Sequence, residues 1–83
     1  MTTGQQIKKY MDELGWSVID LARQTNIHHI KLDEIINGGE EPTYNQIMII
    51  VNKITQHYPL EQHWTIYQSI VVQTIFEAPN DTK

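Results

Sequence analysis

Apolar residues recur at helical spacing in four stretches of the chain and, less cleanly, in a fifth. Ile7, Tyr10, Met11 and Leu14 fall at i, i+3, i+4 and i+7, which predicts a first helix over roughly 4–14. Thr3 with Gln6 fits a capping box at its start, and Gly15 ends it. Ser17 opens a second helix as N-cap, with Asp20 three residues on and Leu21 and Ala22 facing inward. Thr25 and Asn26 interrupt the pattern with two poor helix formers, and Asn tolerates the left-handed backbone of a tight turn. Ile27, Leu32, Ile35 and Ile36 then predict a third helix over 27–37, closed by Asn37-Gly38-Gly39 and by Pro42. Thr43 with Gln46 makes another capping box. Ile47, Ile50, Val51 and Ile54 behind it form the cleanest stripe in the chain, for a fourth helix ending near Gln56 and His57. Met48 and Ile49 fall off that stripe and leave apolar surface for a partner or for the C-terminal segment.

The fifth stretch supports two assignments. Pro59 suits a first helical position, and Leu60, Trp64, Tyr67, Val71 and Ile75 share a helical stripe. The run TIYQSIVVQTIF is also rich in β-branched residues, and Ile66, Ile70, Val72 and Phe76 fit a strand. Helix is favoured over strand for residues 64–76. Either way the segment is too apolar to stay bare, and a homodimer through Trp64, Tyr67, Val71 and Ile75 is its expected use, two-fold dimers being the commonest oligomers. The expected organisation is one domain over 1–58, a packing and dimerisation segment over 59–77 and a polar, disordered tail over 78–83. Trp16, in the connection before Ser17, is expected to plug the core between the first two helices.

Eighty-three residues make one small domain that buries roughly 60% of its unfolded surface, a thin core that a dimer would reinforce. The absence of cysteine excludes disulfides and thiolate metal sites. No apolar run approaches membrane-spanning length, and the N-terminal MTTGQQIKK lacks a signal peptide's hydrophobic segment, so a soluble, cytoplasmic protein is expected, without a membrane partner. The net charge of −4 runs against a nucleic-acid partner, whose binding rests heavily on Lys and Arg contacts to phosphate.

The stretch LARQTNI, with Leu32, Ile35-Ile36-Asn37-Gly38 and Pro42-Thr43 after it, resembles the helix-turn-helix of the Cro/phage-repressor (XRE-like) family, over about residues 4–60. The resemblance implies an all-α, lambda-repressor-like bundle of four to five short helices. It also implies a transcriptional regulator that inserts the 27–37 helix into the major groove of double-stranded DNA. Turning Leu32, Ile35 and Ile36 inward at 100° per residue sends Ile30, Asp33, Glu34 and Asn37 outward. By resemblance the DNA-contacting set is His28, His29, Ile30, Lys31, Glu34 and Asn37, with the base-reading slots on His29, Ile30 and Glu34. An imidazole can donate to guanine, an Ile can touch a thymine methyl and a Glu can accept from cytosine, in slots that usually hold Gln, Arg, Ser or Asn.

Two departures from the family pattern concern charge. The slot where the family often places a phosphate-anchoring Gln is Val18, and the loop that usually brings Lys or Arg reads Gly39-Glu40-Glu41. Residues 17–43 carry Arg23 and Lys31 against Asp20, Asp33, Glu34, Glu40 and Glu41, a net of −3. Lys8, Lys9 and Lys53 are the remaining cations that can compensate. A third departure is that the Arg and Glu the family often pairs between its first helix and its reading helix fall on Met11 and Ile36. Both are apolar here, so the two are expected to touch.

Catalysis has no support: there is no Ser/His/Asp arrangement with motif spacing and no phosphate-binding Gly loop. His28 and His29 would point in different directions on a helix, and the spacing of His57 and His63 matches no zinc pattern, so neither a metal nor another cofactor is expected. Two functions from different classes remain. One is the DNA-binding regulator. The other is a helix-turn-helix scaffold that has lost DNA binding and serves as a protein-interaction module (antirepressor, antitoxin-like partner or adaptor). The exposed Ile30 among acids and the acidic loop favour the second. A further variant has the acidic face imitating DNA in another protein's basic groove.

Overall fold

In a computed structural model the chain is described over residues 2–77, and its side chains over residues 2–72. Five helices follow one another: α1 (Thr3–Leu14), α2 (Val18–Thr25), α3 (His29–Ile36), α4 (Tyr44–Thr55) and α5 (Leu60–Glu77). No strand occurs among the described residues, so the protein is an all-α bundle and the strand alternative for 64–76 is overturned. Helical spacing places Ile66 and Ile70 one turn apart on one face, where both are buried, and a β-branched side chain in a helix settles into one favoured rotamer. Burial therefore outweighs the β propensity of this run.

Reciprocal capping boxes start α1, α2 and α4. In α1 the box is one residue earlier than expected. The Thr2 hydroxyl accepts from the Gln5 N–H at 3.1 Å, and Gln5 Oε1 accepts from the Thr2 N–H at 2.8 Å. Thr3, expected as the cap, is only 1% exposed and belongs to the interior. The expected boxes Ser17/Asp20 and Thr43/Gln46 are both present. Caps of this kind stabilise by about 1 kcal/mol each. Gly15 closes α1 at φ 74°, and Asn26 closes α2 at φ 61°, each in the left-handed conformation. The third helix is shorter than the periodicity suggested. Ile27 belongs to the turn, His28 is the N-cap, and Asn37 is the C-cap.

One core serves the whole bundle. Ile7 and Met11 of α1, Leu21 of α2, Leu32 and Ile35 of α3, Ile47, Ile50, Val51 and Ile54 of α4, and Ile66 and Ile70 of α5 form a single buried cluster. The 59–77 segment thus completes the core of the first four helices. Met11 is fully buried and Ile36 packs, partly buried, against the same cluster, so both of these slots lie on the core side. Trp16 is also partly buried there, with its ring edge-on to His57 at 4.9 Å.

The stripe drawn on α5 is displaced from its buried face. Leu60 and Trp64 are exposed, Tyr67 and Val71 are half-buried, and Ile75 lies outside the described side chains. The reason is that α5 packs against both α1 and α4. The Tyr10 and Ser69 hydroxyls hydrogen-bond across the α1 contact at 2.8 Å. Tyr58, ahead of α5, donates to Glu13 Oε1 at 2.7 Å, and its ring meets Tyr10 edge-on. Burial first, then this hydrogen bond to Glu13, pushes the Tyr58 hydroxyl up to about 12. The expected tail, 78–83, lies outside the described residues.

Candidate nucleic-acid interface

Two eight-residue helices joined by Asn26, Ile27 and His28 form the helix-turn-helix, and two local features hold α3 in place. On the inner side Leu32 is 0% and Ile35 2% exposed. From behind, the first turn of α1 lies directly on the last carbonyls of α3: a Cβ on Gly4 would stand 2.4 Å from the Ile36 oxygen and 2.5 Å from the Ile35 oxygen. No residue but glycine fits that approach without a shift. Sequence periodicity misses this role, because a glycine inside a helix is a weak propensity signal until its neighbour is known.

The far end of α3 is closed by Gly38, at φ 82°, whose N–H bonds the Ile35 carbonyl at 3.2 Å. The Gly39 N–H bonds the Glu34 carbonyl at 2.8 Å. At the near end the His28 Nδ1 accepts the Ile30 N–H at 3.2 Å, so an imidazole does the work that Ser, Thr, Asn or Asp usually does. This arrangement corrects the expectation that His28 and His29 diverge. His28 sits outside the helix with extended backbone, at φ −60° and ψ 139°, and its ring stacks on His29 at 4.6 Å.

The expected outward residues are where the 100° periodicity puts them. His28, His29, Asp33, Glu34 and Asn37 are exposed, and Ile30 is 57% exposed. The first turn of this face is free of acids, and the acids begin one turn later. Asn37 turns back towards Asp33, with its Nδ2 donating to the carboxylate at 3.4 Å.

Lys31 departs most from a phosphate-contacting role. It is half-buried and forms an ion pair with Glu40 across the loop after α3. The Lys31 ammonium first, and the neighbouring Glu34 carboxyl second, hold Glu40 below its ordinary 4.5. The one cation of α3 is thus paired with a carboxyl of the loop that follows it.

Other cations are engaged as well. Lys8 pairs with Asp12 at 2.8 Å, and Lys9 lies 5.5 Å from the centre of the Tyr10 ring. Asp20 is held below 3.8 by the Ser17 backbone N–H, then by the Ser17 hydroxyl, with the charge of Arg23 adding to both. Lys53 is partly buried on α4.

No group of three or more His, Asp or Glu side chains able to hold a metal occurs among the described residues. His57 and His63 are separately engaged, the first on Trp16 and the second donating from Nε2 to the Tyr58 carbonyl at 2.9 Å. No helix among the described residues is long and apolar enough to cross a membrane. No protein-family model matches the chain, and neither does any curated protein or solved structure.

Proposed function

We propose that the chain is a small helix-turn-helix DNA-binding regulator of the Cro/phage-repressor type, acting in the cytoplasm, which offers the N-terminal end of α3 to the major groove. The observation that carries this reading is the sidedness of α3. Ile30 is 57% exposed, with His28 and His29 exposed beside it, while Leu32 and Ile35 are sealed on the opposite side. In groove-reading helices the N-terminal residues meet the base edges, and here that end carries no acid. His29 supplies a hydrogen-bond donor and Ile30 an apolar contact for a thymine methyl. A homodimer doubles the few phosphate contacts that so acidic a chain can make.

The test is a titration of the full chain against random duplex at rising salt. With about two phosphates neutralised per protomer, a dimer should show log affinity falling against log salt with a slope of about −4. Glu34→Gln should raise affinity several-fold by removing a like charge next to phosphate. Absence of binding at low salt overturns the reading.

The Lys31–Glu40 pair favours a second reading, a protein-interaction module of antirepressor, antitoxin-like or adaptor type. With its cation paired to Glu40 and with Asp33, Glu34 and Glu41 exposed beyond it, the far half of the α3 face suits a basic protein surface. In that case Glu34→Gln weakens capture of the partner and duplex binding is absent.

A further inference from the structure

Lys31 is the one Lys or Arg of α3, and its partner is not the nearest acid along the chain. Asp33 and Glu34 share its helix, with Glu34 at the i+3 position where side chains commonly meet. The ion pair is made instead with Glu40, nine residues on, in the loop between α3 and α4.

The loop backbone brings Glu40 there. Gly38, at φ 82°, and the Gly39 N–H on the Glu34 carbonyl close α3 immediately before it. Thr43, three residues after it, is fixed as the cap of α4 by its reciprocal bonds with Gln46. Glu40 therefore stands on a span of three residues, Glu40-Glu41-Pro42, between two hydrogen-bonded ends, and Pro42 fixes one more backbone angle. A carboxylate positioned in this way loses less freedom on pairing than one on a free surface chain.

The pair also stays within reach of a ligand. The Lys31 side chain is 38% exposed and that of Glu40 is 35% exposed. Lys31 lies 100° round the helix from the exposed Ile30, on the flank of the face that α3 presents. Only the Glu40 side chain has to turn away for the ammonium to be released.

We infer, on the reading that α3 meets DNA, that the Lys31–Glu40 pair is an autoinhibitory contact, in which Glu40 withholds the cation of α3 until a backbone phosphate takes its place. While paired, Lys31 brings no net charge to the groove wall and releases no counterion from the duplex. When phosphate displaces the carboxylate a further counterion is released, but Glu40 is left charged close to phosphate. That opposition falls on all sequences alike, because phosphate contacts carry no sequence information, and it keeps non-specific binding low. The other cations are poorly placed to compensate. Lys8 is paired with Asp12, and the charge of Arg23 acts on Asp20.

The test is a salt series of duplex titrations with the full chain, Glu40→Gln, Glu41→Gln, Lys31→Gln and the double variant Lys31→Gln/Glu40→Gln. Glu40→Gln should raise affinity roughly tenfold and steepen the slope of log affinity against log salt by about 0.9 per protomer, as for one more neutralised phosphate. Glu41→Gln changes the net charge equally without freeing Lys31, so affinity should rise only about two- to threefold, at the original slope. With Lys31→Gln already in place, the gain from Glu40→Gln should shrink to that of Glu41→Gln, because no cation is left to release. Gln has the size of Glu and position 40 lies in a loop, so far-UV circular dichroism should stay helical.

A measurement without DNA checks the pair itself. In an NMR titration the Glu40 carboxyl should titrate below 4.5, and Lys31→Gln should return it towards that value. A Glu40 titration indifferent to Lys31→Gln overturns the pair and the inhibition together. Duplex binding by the unaltered chain, with Glu40→Gln and Glu41→Gln equal in affinity and slope, overturns the inhibition and spares the α3 reading. Absence of duplex binding by every one of these chains at low salt overturns the α3 reading and the inhibition with it, even where the Glu40 titration finds the pair intact.

Discussion

The exposed side of α3 and the exposed side shared by α4 and α5 both carry apolar residues that left the core, but they differ in charge. On α3 a single Ile30 is set among His29, Asp33 and Glu34, with Glu40 and Glu41 in the loop beyond. On α4 and α5 the apolar residues adjoin one another and the groove between them has no charged lining. Charge around a contact governs steering and discrimination, whereas desolvated aromatic area governs affinity. The two sides are accordingly suited to different contacts, a polar, charge-flanked one at α3 and an uncharged, aromatic one at α4 and α5.

The largest expected effect separates the two sides of α3 itself. Leu32→Ala should cost about 2–5 kcal/mol of stability in urea unfolding, because the side chain is fully buried and leaves a cavity. Ile30→Ala should change stability by no more than about 0.5 kcal/mol, as surface substitutions generally do. Equal losses at the two positions would dissolve the distinction between a pinned back and a presented front.

Gly4→Ala comes next. The new methyl meets backbone, which cannot swing aside as a side chain can, and overpacking of this kind costs about 1–3 kcal/mol. Gly39→Ala is the control, since a Cβ there lies at an ordinary 3.7 Å from the Glu34 oxygen. Thermal unfolding of the pair should show a loss at position 4 and little at position 39.

His28→Ala should cost about 1 kcal/mol through loss of the cap on α3, and His28→Asn should restore most of it because Asn caps in the same way. If Ala and Asn behave alike, the imidazole is not the cap.

The remaining effects are in pH, at the two helix starts that Tyr58 and Asp20 hold. Tyr58, which ties the start of α5 to α1, is folded in its neutral form with its hydroxyl raised from 10 to about 12. Its contribution is complete below pH 10 and disappears as pH rises from 10 to about 12. Asp20, at the start of α2, is lowered from 3.8, so its contribution is present above that value and disappears as pH falls through the lower folded one. Tyr58→Phe should flatten the alkaline limb of a stability-against-pH curve, and Asp20→Asn should flatten the acid limb.

Local signals were legible wherever one residue type has one physical use. Ser17 with Asp20, Thr43 with Gln46, Asn26 in the left-handed turn and Gly38 past α3 all occupy the positions their chemistry implied. Periodicity also settled which side of α3 faces the core, because 100° per residue leaves Leu32 and Ile35 no other place. It failed on α5, where more apolar positions exist than one face can bury. There the packing of α1 and α4 against the helix chose Ile66 and Ile70 and left Trp64 and Leu60 in water.

The sequence by itself determined the helices, their caps and the inward stripes, since these depend on residues three or four apart. Only the tertiary structure decided that Gly4 seats α1 on α3, that Lys31 is claimed by Glu40, and that Tyr44, Trp64 and Tyr67 share one face. These features join residues from nine to about thirty positions apart, and nothing in a local pattern encodes which distant group will arrive.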